Sequence, residues 1–262
     1  MKNFLRDIIS LKKREIEALK IKRPITDFVN SKRLLKGLRP FRESISTKGR
    51  VNLIAEIKNN SPSRKKAFFR KLDVARLADI YAKSGAKAIS VLTDESFFGG
   101  DILHISEVRS TVNLPVLRKD FIIDEYQVYE SRYFGADAIL LIARILTKDE
   151  IRSFMHFAKR IGMDSVVEIH NEKDLEKALL ADAKIIGINN RNLDTFEVNV
   201  DNTFKLASKM PNQIIKISES GIKTNEHILG LRNAGVNAVL IGEAFLEAKD
   251  IDHRIKEIMG AS

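Results

Sequence analysis

Five polar side chains stand where short apolar runs of this sequence end. They are Glu56, Lys58, Lys119, Glu168 and Asn189. A charge at the end of a buried run is costly to desolvate unless it is paired or used. Ammonium and carboxylate groups also give and take protons, so a converging set of them is suited to acid-base catalysis. The alternative is a structural network of ion pairs, which has no need of charge at so many separate positions.

The apolar runs before these residues recur at regular intervals. Three of them begin with a glycine followed by small and apolar residues, at Gly85, Gly135 and Gly235. Each glycine is predicted to end the preceding helix in the left-handed conformation, so that the next residues enter a strand. The intervals of 50 and 100 residues fit consecutive strand-helix units of about 25 residues each.

This spacing predicts eight strands that alternate with amphipathic helices. The strands are predicted at 51–57, 87–92, 115–118, 137–142, 164–169, 185–188, 214–218 and 237–241. Helices are predicted between them, for example at 73–84, 124–134, 147–161 and 172–181. Eight such units predict an α/β fold, a closed (βα)8 TIM barrel. A doubly wound sheet is disfavoured because neither a GxGxxG nor a GxxxxGK[ST] pattern occurs.

Two helices are predicted before the first strand. Apolar residues spaced close to 3.6 apart predict an amphipathic helix over residues 2–20. A second, shorter helix is predicted with Thr26 or Asp27 as its N-cap, ending at Gly37. Residues 39–50 are predicted to form an irregular connection to the barrel.

Composition describes a globular protein with a sizeable core. The chain has 262 residues, of which 44% are hydrophobic and 31% charged, and no cysteine. We expect one barrel domain over residues 1–262, with residues 1–50 as a helical extension packed on it. No apolar window reaches the roughly 18 residues of a membrane span, and the start has no signal-peptide core. We therefore expect a cytoplasmic protein without a membrane partner.

The net charge of +10 has three interpretations: a nucleic-acid partner, an anionic substrate or scattered surface lysines. The basic residues are spread over predicted helix faces, and the short basic runs have no interleaved aromatic residues for stacking on bases. We expect no nucleic-acid partner. The five histidines show no ligand spacing, so no metal site is predicted. His170 is the only one near the end of a predicted strand, and we interpret it as the start of the next helix.

Chemistry in such barrels takes place at the carboxyl ends of the strands. Strand seven is followed by Glu219, Ser220 and Gly221, and strand eight by Gly242 and Glu243. Glycines at these two places let backbone N–H groups approach an anion, and a short helix starting near Glu243 would point its amino end there. A phosphorylated small substrate follows, unless these glycines only form turns.

Motifs in order along nearly the whole chain resemble those of the indole-3-glycerol phosphate synthase family. They are Ile54-Ala55-Glu56-Ile57-Lys58 with Ser61-Pro62-Ser63, Ser90-Val91-Leu92-Thr93 with Phe98 and Gly100, Leu117-Arg118-Lys119-Asp120-Phe121-Ile122, Val167-Glu168-Ile169-His170, Ile186-Gly187-Ile188-Asn189-Asn190-Arg191-Asn192-Leu193, Ser218-Glu219-Ser220-Gly221-Ile222 and Ile241-Gly242-Glu243-Ala244. The combination of EIK with SPS, KDF and INNR is specific to this family among the related barrels of tryptophan biosynthesis.

The resemblance implies a carboxy-lyase that closes the ring of 1-(2-carboxyphenylamino)-1-deoxyribulose 5-phosphate. The product is indole-3-glycerol phosphate, formed with loss of CO2 and water and without a cofactor. It implies Lys119 as general acid for the carbonyl, with Glu168 and Lys58 sharing the later acid and base steps. Glu56 would hold a lysine charged and oriented, and Asn189 would bond a substrate hydroxyl or the anthranilate part.

The resemblance also implies substrate-binding residues around these groups. Phosphate donors, chiefly backbone N–H groups, would come from Ser220, Gly221, Gly242 and Glu243. Phe98 and Phe121 would line the aromatic ring, and Ser61 and Arg191 complete the substrate-binding set. The expected partner is a small phosphorylated molecule, and we expect a monomer.

The chain departs from the family pattern after Ser63. Family members commonly have a basic residue and then glycine, where this chain has Arg64-Lys65-Lys66-Ala67, and Asp101 stands where many have serine. A stiffer loop after the first strand would affect turnover more than reaction type. The alternative function is therefore a phosphate-ligand-binding barrel with little turnover. A nucleic-acid-binding protein is the third hypothesis.

Overall fold

The chain forms a closed barrel of eight parallel strands, each paired with its neighbours in chain order. The computed structural model describes residues 4–35, 37–60, 68 and 72–260. The strands are β1 (Asn52–Ile57), β2 (Ala88–Leu92), β3 (Val116–Lys119), β4 (Ala138–Ile142), β5 (Asp164–Ile169), β6 (Ile185–Asn189), β7 (Ile215–Glu219) and β8 (Ala238–Ile241). Strand β8 pairs with β1, which closes the barrel and confirms the predicted (βα)8 fold.

Helices connect the strands on the outside of the barrel and precede the first of them. They are α1 (Phe4–Lys22), α2 (Ile25–Val29), α3 (Phe41–Ser44), α4 (Val74–Lys83), α5 (Glu95–Phe98), α6 (Leu103–Thr111), α7 (Glu125–Phe134), α8 (Lys148–Arg160), α9 (Glu172–Leu180), α10 (Asp201–Ala207), α11 (Asn225–Asn233), α12 (Glu243–Leu246) and α13 (Ile251–Met259), with a 3-10 helix at Lys32–Leu35. None of these described helices is long and apolar enough to cross a membrane.

The eight predicted strands and the four helices predicted between them agree with the observed ones to within one residue at each end. Three of the predicted helices started one residue early because their first residue is the N-cap. Asp73, Asp124 and Thr147 accept hydrogen bonds from backbone N–H groups of the first helical turn, as N-caps do. The three glycines of the repeat have φ of 90°, 104° and 73°, the left-handed conformation predicted for them.

The prediction for residues 24–50 was partly wrong. Helix α2 begins directly after Pro24, whose side chain offers no cap, and not after Thr26 or Asp27. Proline supplies the fixed φ of a helix start, here −59°, without a side-chain acceptor. The helix ends before Asn30, so the segment divides into α2 and a 3-10 turn. The predicted irregular connection contains α3, which begins after Pro40.

The core has two layers, because neighbouring side chains of a strand face opposite sides of the barrel. Inside the barrel, Ile54, Leu117, Val166 and Ile217 belong to one buried cluster. Outside it, alternate strand residues pack against the helices in a second and larger cluster. Along each strand, residues that face the helices therefore alternate with residues that face the barrel interior. Away from the site, both kinds of residue must be apolar.

The N-terminal helices pack against the barrel at several places. Ile8 of α1 and Phe41 of α3 belong to the interior cluster of the barrel. Between them, Ile16 and Phe28 pack on Tyr126 of α7 in a separate cluster. The segment is thus bound to the barrel by apolar contacts along its length.

A buried ionic cluster also fastens α1 to the loops after β2 and β3. The Lys12 ammonium lies 2.9 Å from Asp94 Oδ2 and 3.2 Å from Asp120 Oδ1. Asp120 also accepts from Thr93, and the Arg118 guanidinium contacts it at 3.1 Å. Burial would raise the pKa of Asp120, but Arg118 and then Lys12 lower it to about 2. This carboxylate therefore stabilises the fold above about pH 4, and its contribution is lost as the pH falls towards about 2.

Lys12→Met is expected to lower the free energy of unfolding by about 3 kcal/mol, near the lower end for breaking a buried ion pair. The variant leaves Asp94 and Asp120 buried without this cation, although Asp120 keeps Arg118. Urea unfolding at neutral pH measures the loss. The exposed neighbour Lys13 provides the control, since Lys13→Met should change stability by less than about 0.5 kcal/mol. Equal stability of Lys12→Met and wild type would contradict a structural role for the cluster.

Candidate active site

The candidate catalytic side chains face the barrel interior because each lies an even number of residues beyond an interior apolar residue. In β1, Ile54 is in the interior cluster, and Glu56 and Lys58 follow at steps of two. In β5, Val166 is in that cluster and Glu168 follows. The same steps lead to Lys119, Asn189 and Glu219. Side chains from five strands therefore meet at one mouth of the barrel.

These residues line a cavity of about 330 Å³. Every predicted site residue that the structure describes lines it, namely Glu56, Lys58, Phe98, Lys119, Phe121, Glu168, Asn189, Arg191, Ser220, Gly221, Gly242 and Glu243. Ser61 and the basic run Arg64-Lys65-Lys66 lie outside the described residues. Among described residues, no group of three or more His, Asp or Glu side chains is arranged to hold a metal ion.

Lys119 lies between two buried carboxylates. Its Nζ donates a hydrogen bond to Glu168 Oε2 at 3.0 Å and lies 3.6 Å from Glu219 Oε2. Burial would lower the pKa of Lys119, but Glu168, Glu219 and Glu56 together raise it above its ordinary value. The ammonium therefore stays charged in the resting protein, and its proton is directed at a carboxylate.

The two carboxylates differ in protonation although they are neighbours. Burial tends to raise the pKa of Glu168, but the charge of Lys119 and the contacts with Lys119 and Asn189 lower it. For Glu219, burial raises the pKa, and the negative charge of Glu168 raises it further against the opposing effect of Lys119. Like charges this close favour one ionised and one protonated carboxyl group. Glu168 is thus ionised and can accept a proton, whereas Glu219 is protonated.

Glu56 and Lys58 form an ion pair at the end of β1, with Lys58 Nζ 2.6 Å from Glu56 Oε2. Asn189 Oδ1 accepts a hydrogen bond from the backbone N–H of Arg191 at 3.0 Å. The amide nitrogen contacts Glu168, and its second N–H can donate to another oxygen.

An apolar surface lies beside these charged groups. The rings of Phe98 and Phe121 are tilted by 38° with centroids 6.2 Å apart. Leu5 of α1 packs against the same cluster and lines the cavity, which sequence reasoning did not predict. The surface offers a planar aromatic group an apolar contact, at the side where α1 is held by Lys12.

The loops after β7 and β8 form the other side of the cavity. Ser220 and Gly221 both have positive φ, 69° and 82°, and a Cβ on Gly221 would lie 2.4 Å from Val198 Cγ1. Gly242 precedes the short helix α12, where a helix was predicted to start. Glu243 accepts a hydrogen bond from Arg191 Nη2 at 3.1 Å, so its negative charge is paired. The backbone thus approaches the cavity closely from both loops.

Glu219 was expected among the polar residues at the end of strand seven, but sequence reasoning gave it no individual role. Its carboxyl is buried, and neither oxygen accepts a hydrogen bond from a described residue. Gly187 of β6 provides the room for it, because a Cβ there would lie 2.1 Å from Glu219 Oε1. The signal available in the sequence was the step of two from Ile217, which points Glu219 inward with the other candidates.

Gly187→Ala is expected to lower the free energy of unfolding by about 1 to 3 kcal/mol, the usual effect of overpacking a buried site. The new methyl group must displace the Glu219 carboxyl, since Val166 closes the other side at 3.3 Å. Thermal and urea unfolding measure the loss. Gly85→Ala is the control without a steric clash, because a Cβ at Gly85 meets nothing within 4 Å. Any loss of stability in Gly85→Ala comes from its positive φ alone. The double variant Gly187→Ala, Glu219→Ala should regain stability if the carboxyl is the obstacle.

Comparison with known proteins identifies close relatives in sequence. A family model described as indole-3-glycerol phosphate synthase matches residues 5–258. A protein of that name from Caldanaerobacter subterraneus subsp. tengcongensis is 45% identical over 256 residues, covering 98% of this chain and 97% of the relative. Another of that name, from Endomicrobium trichonymphae, is 49% identical over 218 residues, covering 83% of this chain and 84% of the relative.

Solved structures similar to this one share its barrel at low sequence identity. A 3-hexulose-6-phosphate synthase superposes with a TM-score of 0.64 at 16% identity, covering 80% of this chain and 99% of that chain. A thiamine phosphate pyrophosphorylase from Pyrococcus furiosus gives 0.58 at 12% identity, covering 79% of this chain and 93% of that chain. At these identities the likeness establishes the fold alone.

Proposed function

The chain belongs to the indole-3-glycerol phosphate synthase family, and on that premise we propose how its barrel mouth performs the family's reaction. The enzyme converts 1-(2-carboxyphenylamino)-1-deoxyribulose 5-phosphate to indole-3-glycerol phosphate, a step of tryptophan biosynthesis. One C–C bond forms, the carboxyl group leaves as CO2, and a hydroxyl leaves as water. The observation that supports the proposal best is the Lys119–Glu168 contact at 3.0 Å inside the cavity.

Lys119 is the proposed general acid for ring closure. The ring carbon that bears the carboxyl group attacks the carbonyl carbon of the open sugar chain, and the carbonyl oxygen must gain a proton as the bond forms. An ammonium with a raised pKa is fully protonated at neutral pH, so Lys119 enters the step with its proton in place. Transfer to the substrate becomes favourable once the substrate oxygen replaces Glu168 as the acceptor.

Glu168 and Lys58 are the proposed groups for the later steps. Loss of CO2 leaves an intermediate whose hydroxyl departs as water when an acid supplies a proton. A base then removes a proton from the ring system and restores aromaticity, and Glu168 is the ionised carboxylate at the site. Lys58, paired with Glu56, is a second ammonium for the departing hydroxyl. Glu219, whose pKa burial raises, is a further proton carrier beside Glu168.

The proposed binding mode places the two ends of the substrate on opposite sides of the cavity. The anthranilate ring lies on Phe98 and Phe121, whose centroids are 6.2 Å apart. The phosphate lies at Ser220, Gly221, Gly242 and Glu243, with Arg191 and Lys58 for charge. Arg191 then exchanges the Glu243 carboxylate for phosphate oxygens, which suit its planar donors equally well. Asn189 donates to a substrate oxygen, and Ser61 remains a proposed contact from the loop after β1.

Indole fluorescence from purified protein mixed with the anthranilate ribulose phosphate tests this function, with released CO2 as a second readout. Formation of one CO2 per indole is the expected result. Binding without product at any protein concentration would instead favour a phosphate-ligand-binding barrel. Salt-sensitive retention on nucleic acid at physiological ionic strength would favour the third hypothesis.

We further propose the reaction class, the oligomeric state, the domain organisation and the cellular location of this protein. The enzyme is a carboxy-lyase, because the C–C bond to the carboxyl group is broken without hydrolysis or oxidation. We propose a monomer, which sedimentation can test. We also propose that residues 1–262 form one domain and that the enzyme acts in the cytoplasm. Cooperative unfolding in one transition tests the first of these, and cell fractionation tests the second.

A further inference from the structure

His170 lies directly behind the carboxylate that we propose as the base. It follows β5 immediately, two residues after Glu168. Its Nε2 is 3.4 Å from Glu168 Oε1, and its Nδ1 is 3.8 Å from Asp174 Oδ2 on α9. The side chain is only 4% exposed and does not line the cavity. The imidazole is therefore enclosed between two carboxylates, out of reach of a substrate.

Neither ring nitrogen of His170 makes a hydrogen bond to any residue that the structure describes. A buried polar group without a hydrogen bond is costly, so such a group calls for an explanation. Asp174 does not need the imidazole proton, because its Oδ2 already accepts from the His170 backbone N–H and from Asn171 Nδ2. The group that can use a donor from the ring is Glu168.

The two oxygens of Glu168 face different partners. Oε2 accepts from Lys119 at 3.0 Å, while Oε1 faces His170. In the proposed reaction Lys119 must turn its ammonium to the substrate carbonyl, and Glu168 then loses its nearest cation. Asn189 still contacts this carboxylate, but without a donor at Oε1 the carboxylate could follow the lysine or rotate away from the substrate ring that it must deprotonate.

We propose that His170 is a positioning residue, whose Nε2–H donates to Glu168 Oε1 and holds this carboxylate in place when Lys119 turns to the substrate. The role of His170 in catalysis rests on the proposed function. Its contact with Glu168 rests on the geometry alone. The charged groups that face the ring are Glu168 on β5, Asp174 on α9, Arg144 after β4 and Lys119 on β3. Burial lowers the pKa of His170 against the opposing effects of Glu168 and Asp174, and Arg144 and Lys119 add to the lowering, so the ring is neutral and carries one N–H.

Two substitutions separate the donor from the volume of the ring. His170→Leu fills the space without a donor, and His170→Gln offers an amide N–H near the position of Nε2. His170→Leu should lower kcat by about tenfold, the effect of one hydrogen bond to a charged group. KM should change by less than about twofold, because His170 does not line the cavity. His170→Gln should restore most of kcat, and the control His253→Leu, exposed on α13, should match wild type.

The acidic limb of the kcat profile against pH gives a readout that a packing role would not move. A hydrogen bond donated to Glu168 favours its ionised form, so removing the donor raises the pKa of Glu168. The acidic limb of His170→Leu should therefore shift to higher pH, and that of His170→Gln should not. A folded His170→Leu enzyme with the wild-type kcat and acidic limb would overturn the proposal, as would His170→Gln behaving like His170→Leu.

Nitrogen NMR of the full wild-type protein tests the contact without turnover. The His170 signals are assigned by their loss in His170→Gln, and they should show a neutral ring protonated at Nε2 between about pH 6 and 8. Protonation at Nδ1, or a doubly protonated ring at neutral pH, would overturn the proposal whatever the activity. If wild type made no product, the proposed function would fail, and the tautomer would still decide the role of His170 beside Glu168.

Discussion

Lys119→Met is expected to lower kcat by about 10²- to 10⁴-fold, the magnitude of a lost general acid. The lysine is the cation whose Nζ contacts both Glu168 and Glu219, so the substitution removes the proton donor and the ion pair together. Methionine keeps most of the side-chain volume. Without Lys119 the pKa of Glu168 rises, since this cation is the largest influence that lowers it. Steady-state kinetics with indole fluorescence measures the change in kcat and KM.

Lys119→Arg distinguishes acid catalysis from simple charge. A guanidinium keeps the positive charge beside Glu168 but gives up its proton far less readily than an ammonium. We therefore expect Lys119→Arg to be nearly as slow as Lys119→Met, with substrate affinity closer to wild type. Lys83→Met, an exposed substitution on α4, controls for loss of a lysine. A rate for Lys119→Arg within about tenfold of wild type would reduce Lys119 to an electrostatic role.

Glu168→Gln should also lower kcat by about 10²- to 10⁴-fold, because an amide keeps the shape of the carboxylate but cannot accept the proton of the last step. The substitution has a second consequence at Glu219. The negative charge of Glu168 raises the pKa of Glu219, so its removal lets Glu219 ionise at lower pH beside Lys119. Infrared difference spectra should then show loss of a protonated carboxyl band at neutral pH in Glu168→Gln.

Glu172→Gln is the matched control for Glu168→Gln. Glu172 begins α9, is exposed and pairs with Lys205 and Lys209 at the surface. The same chemical change there should leave kcat and the infrared band as in wild type. Substantial activity in Glu168→Gln would move the base role to Glu219. In that case Glu219→Gln should lower the rate by the amount expected here for Glu168→Gln.

The two predictions depend on one physical arrangement. In the resting protein Lys119 donates a hydrogen bond to Glu168. This hydrogen bond must break before either group can act on the substrate. Neighbouring groups keep both in reach of their acting positions: Glu219 beside Lys119, and His170 beside Glu168. The end of β3, which carries Lys119, is held in turn by Asp120, which pairs with Lys12 of α1. The N-terminal segment is thus connected to the acid through buried charge.

Much of the site could be predicted from the sequence because its rules are local. The period of two in a strand directs Glu56, Lys119 and Glu168 to the same side as the interior residues Ile54, Leu117 and Val166. The repeat of glycines marks where strands begin, so the carboxyl ends are known to about one residue. The error at α2 has a local origin too, since a proline start was overlooked in favour of polar caps.

The sequence by itself determined the eight strands, the order of the units and which side chains point into the barrel, because these follow from periodicity and local backbone preference. Only the tertiary structure decided which of those side chains meet. Three of these contacts join separate segments of the chain. Lys119 contacts Glu168 and Glu219, Glu219 packs against Gly187, and His170 lies behind Glu168. Their protonation depends on burial and on these neighbours, and neither quantity can be read from spacing along the chain.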